Sequence, residues 1–257
     1  MSLADDPADL LAGRGAYLAQ VGSRLAATVA GEATTLLITG DAGVGKTSLA
    51  EAALASFGEQ LTVISGGCLP LQALSVPLHP FRLALRSTQA PGAAELLPEL
   101  EVPDRAPQVL DGWIDRLTAQ GPVVVMIDDL QWADQSTLDV LVYLAAGPRS
   151  RRLALLATIR RERVPDGHPL QRWLADVLRL PRVEQLALGA LDRAATEEQL
   201  TTLLGAVPHQ SLVEEVYGRT LGNPYWTRLT MQGVSADARR LPPDPHKEKP
   251  SWSAASS

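Results

Sequence analysis

Gly40-Asp-Ala-Gly-Val-Gly-Lys-Thr47 fits the pattern G-x-x-x-x-G-K-[ST], and its surroundings decide the fold. Glycines let backbone N–H groups curl round an anion with no Cβ in the way. A lysine brings a mobile positive charge to phosphate oxygens, and a threonine hydroxyl can ligate magnesium. The octapeptide follows Thr34-Thr-Leu-Leu-Ile-Thr39, a β-branched, apolar run suited to a buried parallel strand. It opens a helix expected over Lys46–Phe57, whose positive end faces the same anion. Gly40, Asp41, Ala42, Gly43, Val44, Gly45, Lys46, Thr47 and Ser48 are therefore the candidate phosphate site. Lys46 is the sole lysine before residue 247, in a chain with 20 arginines, which marks a position needing an ammonium rather than a guanidinium fork. A dinucleotide fingerprint is excluded, because Ser48 stands where the third glycine of G-x-G-x-x-G belongs.

A second anchor lies downstream. Val123-Val-Val-Met-Ile-Asp-Asp129 carries five apolar residues into two carboxylates, the pattern of a central strand whose polar end emerges at the top of a sheet. Asp128 is placed to hold magnesium, mainly through water, beside Thr47. Asp129 is the candidate to orient or deprotonate an attacking water.

Outward from these anchors, strands alternate with helices. Leu18, Val21, Leu25 and Val29 recur at three- and four-residue spacing and predict a helix over Tyr17–Ala30. Further strands are expected at Leu61–Ser65, Leu153–Ile159 and Val183–Leu188, and helices at Gln108–Ala119, Ser136–Ala145 and Pro169–Leu178. The proline-rich stretch 66–107 predicts loops and short helices. This alternation calls for a parallel sheet with helices on both faces. After Gly189 the strand signals stop, and Asp192–Leu204, Ser211–Tyr217 and Pro224–Met231 all read as helices. The expected organisation is a disordered N-terminus over 1–9, a nucleotide-binding core over 10–189, a helical lid over 190–238, and a disordered tail over 239–257 rich in proline, serine and charge.

Composition narrows the function classes. The chain has 257 residues, 46% hydrophobic and 20% charged, with net charge −6, an ordinary globular balance that argues against nucleic acid as a main partner. No run of 18 apolar residues is present, and the acidic N-terminus MSLADDPADL does not resemble a signal peptide, so a cytoplasmic location is expected. Cys68 is the single cysteine, and a buried, inert thiol is the expectation. His79, His168, His209 and His246 are scattered without metal-ligand spacing. Trp113, Trp132 and Trp173 sit in apolar patterns as packing residues, whereas Trp226 is a candidate to line the lid's contact with nucleotide.

At these residues the sequence resembles the ATPase domain of STAND-type signalling ATPases, especially that of the large LuxR-family transcriptional regulators. Asp129-Leu-Gln-Trp-Ala-Asp134 is similar to that family's DDLHWAD stretch. Gly13-Arg14 resembles its GRE segment, which implies a place for Arg14 near the adenine. Ala157-Thr-Ile-Arg160 resembles its sensor strand, which implies an approach of Arg160 to the γ-phosphate and a part in catalysis with Lys46 and Asp129. Leu188-Gly-Ala-Leu-Asp192 looks like the junction into the lid, and Gly222-Asn-Pro224 like the lid's GxP signature, with Pro224 at the nucleotide. Asn223-Pro224 is also a good cap and first helical residue, so that helix is expected to aim its N-terminus at the nucleotide. Two positions depart from the family pattern: Gly15 replaces an acidic residue, and Gln131 replaces the usual histidine.

The resemblance implies an α/β P-loop NTPase of the ASCE or AAA-like kind, a parallel sheet sandwiched by helices with a small C-terminal helical lid. It implies ATP or ADP and Mg2+ as cofactors, and ATP, a regulatory protein or a second copy as partners. The winged helix, helical-repeat sensor and DNA-binding helix-turn-helix that usually follow are not seen within these residues, so direct DNA binding is not expected. The preferred expectation is a regulatory switch with slow ATP hydrolysis. The alternatives are a stand-alone AAA-type ATPase with steady turnover and an interaction module that holds nucleotide for structure alone.

Overall fold

The computed structural model describes residues 11–70, 76–160 and 167–242. Within them, β1 (Thr34–Gly40), β2 (Thr62–Gly67), β3 (Val123–Asp128), β4 (Leu153–Arg160) and β5 (Val183–Ala187) form one sheet in the order β2-β3-β4-β1-β5. Every neighbouring pair is parallel. The order is decisive for the site. β4 lies between β1, which feeds the glycine loop, and β3, which carries the acidic pair, so the tops of three strands converge on one crevice.

A parallel sheet buried on both faces needs apolar residues at every position, and period 2 sends them to opposite sides. Leu37, Val123, Val125, Ile127, Leu155 and Ala157 enter one core, and Leu36, Ile38, Val124, Met126 and Leu156 the other. The second face is covered by α1 (Gly15–Val29) and α2 (Lys46–Ala55), which bring Val21, Leu25, Leu49 and Ala53. The first is covered by α3 (His79–Ser87), α4 (Ala93–Leu96), α5 (Ala106–Gln120), α6 (Gln135–Ala145) and α7 (Pro169–Val177). Trp113 and Trp173 are buried there, their indole N–H groups donating to Pro91 O (2.8 Å) and Leu138 O (2.8 Å). A buried aromatic nitrogen finds its partner in this way.

Beyond β5 come α8 (Arg193–Leu204), α9 (Gln210–Thr220) and α10 (Pro224–Thr230). Their side chains form a separate small core of Leu200, Leu212, Val213, Val216, Met231 and Leu241. Asp192 caps α8 by accepting the Ala195 N–H (2.8 Å). Residues 239–242, expected to belong to the tail, are described together with this core. Leu241 is buried in this core and its N–H donates to Glu215 Oε2 (3.0 Å), so apolar burial holds the chain in place past residue 239. The expectations for 1–9 and for the tail beyond 242 lie outside the described residues.

Element boundaries differ from expectation mainly by a residue or two. β3 extends through Asp128 itself, because Gly67 pairs with Asp128 in the β2 ladder. Asp129 then leaves the strand in the left-handed region (φ 56°), a conformation that aspartate tolerates better than most side chains.

Candidate phosphate site

The loop between β1 and α2 is folded by its glycines. Gly43 (φ 79°) and Gly45 (φ 93°) adopt backbone angles that L side chains avoid. Gly45 is also the N-cap of α2, without a side-chain acceptor. The first turn of α2 therefore faces the loop's concavity, the arrangement that binds anions. Lys46 is 5% exposed and its ammonium donates to Gly40 O (2.9 Å) and Asp41 O (2.7 Å), holding the cation within the loop.

The three strand tops then meet. Thr47 Oγ1 donates to Asp128 Oδ1 (2.9 Å) and Oδ2 (3.1 Å). The Thr158 hydroxyl on β4 donates to Asp128 Oδ1 and accepts the Asp129 N–H (2.9 Å). Arg160 forms a two-pronged pair with Asp129, Nε to Oδ1 at 3.0 Å and Nη2 to Oδ2 at 2.7 Å. Its backbone N–H donates to Gln131 Oε1 (2.9 Å). The departure at position 131 thus has a structural part: a buried amide fixes the end of β4 behind the arginine. A cleft of ≈ 170 Å³ is lined by Lys46, Thr47, Ser48, Asp129, Arg160 and, from α10, Tyr225, along with Gly43 and Gly45. Ligand pockets run to about 300–1,000 Å³, so this cleft suits the phosphate end of a nucleotide rather than the whole molecule. Larger hollows, such as one of ≈ 580 Å³ beside Glu99 and Gln108, lie away from the loop and do not gather these groups.

The donor set suits magnesium. A hydroxyl and a carboxylate side by side are the hard oxygen ligands that the ion takes alongside phosphate and water. Glu51, one turn along α2 from Thr47, has its pKa raised by burial and then by the charge of Asp128, so negative charge is already concentrated here. Among the described residues no three His, Cys, Asp or Glu side chains cluster around a possible ion, so phosphate and water would have to complete the shell.

Other candidate residues serve the loop from outside. Arg14 is buried and donates to Val44 O (3.1 Å) and Gly189 O (2.6 Å), tying the loop to the end of β5. Burial lowers the pKa of its guanidinium from the ordinary value, while Tyr17 below it works in the opposite direction. Pro224 is buried at the start of α10, and its carbonyl accepts the Gln199 amide (3.0 Å). Its neighbours are the ones that reach the loop. Asn223 Nδ2 donates to Ala42 O (2.8 Å), and the Tyr225 N–H donates to Gly43 O (3.2 Å). The α10 N-terminus consequently does not present free donors to a nucleotide as expected. Asn223 Oδ1 accepts the Tyr225 and Trp226 N–H groups (3.1 and 3.3 Å), and the loop carbonyl shares the first. Trp226 is 52% exposed and pairs edge-to-face with Tyr225, and Tyr225 is the aromatic that lines the cleft.

Cys68 follows β2 and is 5% exposed. Burial, then the charges of Asp134, Asp128 and Asp129, push its thiol far above the ordinary range. Because the thiolate is the reactive species, Cys68 is expected to resist iodoacetamide at pH 8 in the native protein and to react only on unfolding. Mass spectrometry of native and denatured samples checks this, and rapid native labelling would contradict it.

Residues 10–157 match the family model for the AAA ATPase domain, which is more than half of the chain. The chain belongs to the AAA ATPase domain family. It is a P-loop ATPase module, and ATP is the ligand its family binds. Among curated proteins no significant sequence match is found. Solved structures share the fold of this AAA domain: a Walker-type ATPase of Pyrococcus abyssi at TM-score 0.53 and 18% identity, over 82% of this chain and 65% of that one, and RuvB of Thermotoga maritima (its T158V form) at TM-score 0.51 and 15% identity, over 90% and 66%. The chain thus spans slightly under two thirds of the length of those structures. Among the described residues of the AAA domain no helix is long and apolar enough to cross a membrane.

Proposed function

We propose that this module is an ATP-controlled signalling switch, in which ATP and magnesium bind at the glycine loop and slow hydrolysis changes how the three-helix bundle is held. The observation that carries this reading is the row of loop carbonyls. Gly40 and Asp41 are held by Lys46, Ala42 by Asn223, Gly43 by the Tyr225 N–H, and Val44 by Arg14. The N–H side of the loop serves phosphate, while its carbonyl side grips the bundle and the start of α1. A loop that tightens round an anion therefore passes its movement to α10 through the Asn223 side-chain amide and the Tyr225 N–H.

In this reading Lys46 neutralises the β- and γ-phosphates, and Thr47 and Asp128 hold magnesium, which supplies further charge neutralisation when bound. Asp129 orients the attacking water. Both of its oxygens are engaged by Arg160, so it must be released first, which supports slow rather than brisk turnover. The likeness of Asp129–Asp134 and Gly222–Pro224 to LuxR-family regulators supports a role upstream of transcription, with the regulatory partner outside this chain.

The test is amide hydrogen exchange without nucleotide, with Mg-ADP and with a non-hydrolysable Mg-ATP analogue. A switch requires protection in α10 and the 188–192 junction to differ between the two nucleotides. Identical exchange, together with fast hydrolysis, would favour an ordinary turnover ATPase, and tight ADP with unmeasurable hydrolysis would favour a structural nucleotide. Asp128→Asn is expected to abolish the increase in ATP affinity on adding Mg2+, measured by titration calorimetry with and without the metal.

A further inference from the structure

Tyr225 belongs to no motif of the sequence, yet it is the lining residue that the bundle contributes to the phosphate cleft, alongside Lys46, Thr47, Asp129 and Arg160. Two hydrogen bonds fix its backbone. Its N–H donates to Gly43 O of the phosphate loop (3.2 Å) and to Asn223 Oδ1 (3.1 Å). Its Cβ packs so closely on the loop that a Cβ at Gly43 would stand 2.9 Å from it. The ring, by contrast, is not committed to a core: the residue is 55% exposed and meets Trp226 edge-to-face at 5.5 Å. A tyrosine pinned at its backbone and open at its ring is free to turn its phenol donor toward the cleft that it lines.

The chemistry around it selects the acceptor. The loop and the first turn of α2 take the phosphate nearest the backbone N–H groups. Asp129, Arg160 and Tyr225 come from outside the loop, so they border the part of the cleft into which a further phosphate extends. Lys46 and Arg160 are cations there, and Tyr225 adds a neutral donor from the bundle.

Resting on the ATP-switch reading, we propose that Tyr225 is a specificity-determining residue whose hydroxyl donates to the terminal phosphate of a nucleoside triphosphate, so that the bundle discriminates triphosphate from diphosphate. Loss of that phosphate removes the acceptor and leaves the contacts to Ala42 and Gly43 to join α10 to the loop.

The experiment measures the dissociation constants of a non-hydrolysable ATP analogue and of ADP, both with Mg2+, for the wild type, Tyr225→Phe, Tyr225→Ala and Lys46→Ala. A hydrogen bond to a charged acceptor predicts that Tyr225→Phe lowers the triphosphate-over-diphosphate preference by about tenfold while ADP affinity changes less than about twofold. Tyr225→Ala should lower the preference at least as far, and far-ultraviolet circular dichroism should match the wild type for both, since the ring is exposed. An unchanged preference in Tyr225→Phe, or an equal loss for both nucleotides, overturns the inference. If either result appears while Lys46→Ala still abolishes binding, the switch reading survives and only the role of Tyr225 falls. If the wild type binds neither nucleotide, both fall together.

Discussion

Lys46→Ala is expected to weaken Mg-ATP binding by at least about a hundredfold. The side chain is 5% exposed and its ammonium is already aimed into the loop by Gly40 O and Asp41 O. Phosphate oxygens are anionic and accept from an ammonium more strongly than neutral carbonyls do. Removing it deletes charge-assisted bonds of about 1.5–3 kcal/mol each, and two of them reach the stated loss. Lys46→Arg should not rescue the affinity, because a planar guanidinium cannot occupy a pocket this enclosed without displacing the loop. Titration calorimetry with Mg-ATP decides the matter, with circular dichroism to show that the fold persists. Affinity within about threefold of the wild type would rule out the site.

Gly222→Ala should lower the thermal midpoint by on the order of 10 °C. Gly222 has φ 73°, and a Cβ built there would stand 1.9 Å from Leu191 O and 2.9 Å from Leu191 C, both backbone atoms that cannot swing aside. The same spot carries the Leu191 N–H to Gly222 O bond (2.7 Å), which joins the 188–192 junction to the turn before α10. A left-handed alanine alone costs about 1–2 kcal/mol, and forcing these two segments apart raises the loss to about 4 kcal/mol or more. Gly205 is the control. Its φ is 66°, but nothing lies within 4 Å of a Cβ there, so Gly205→Ala should cost only the conformational term, about 1–2 kcal/mol and a few degrees. Comparable melting shifts for the two variants would mean that the close approach to Leu191 is not what locks the bundle to the core. Because the bundle has its own apolar core, limited proteolysis between 188 and 192 should show Gly222→Ala opening at the junction before the domain unfolds.

The local signals in the chain were direct ones. Thr34–Thr39 and Val123–Asp128 are continuous apolar runs because strands buried on both faces need them, and they became β1 and β3. The glycine loop was legible because only glycines permit its backbone angles, and the acids because charge cannot end a buried strand except at its rim. Thr158 and Gln131 were not legible as site residues. Each gains its part from strand order: β4 inserted between β1 and β3 puts Thr158 against Asp128, and Arg160 against Asp129 and Gln131, across about 30 positions of sequence.

The clasp on the phosphate loop follows the same division. From Asn223-Pro224 alone, a capped helix aiming its free N–H groups at a nucleotide is the natural expectation. In the folded chain those groups are spent on Asn223 Oδ1 and Gly43 O, and Tyr225 rather than Pro224 or Trp226 faces the cleft. What the sequence determined by itself was the phosphate loop, its lysine, the acidic strand end and the α/β alternation, since each is encoded by residues adjacent in the chain. Only the tertiary structure decided that Arg160 restrains Asp129, that Arg14 and Asn223 hold the loop's carbonyls, and that Tyr225 lines the cleft beside the loop. Those are pairings of donors with acceptors far apart in sequence, and their geometry exists only once the sheet and bundle have packed.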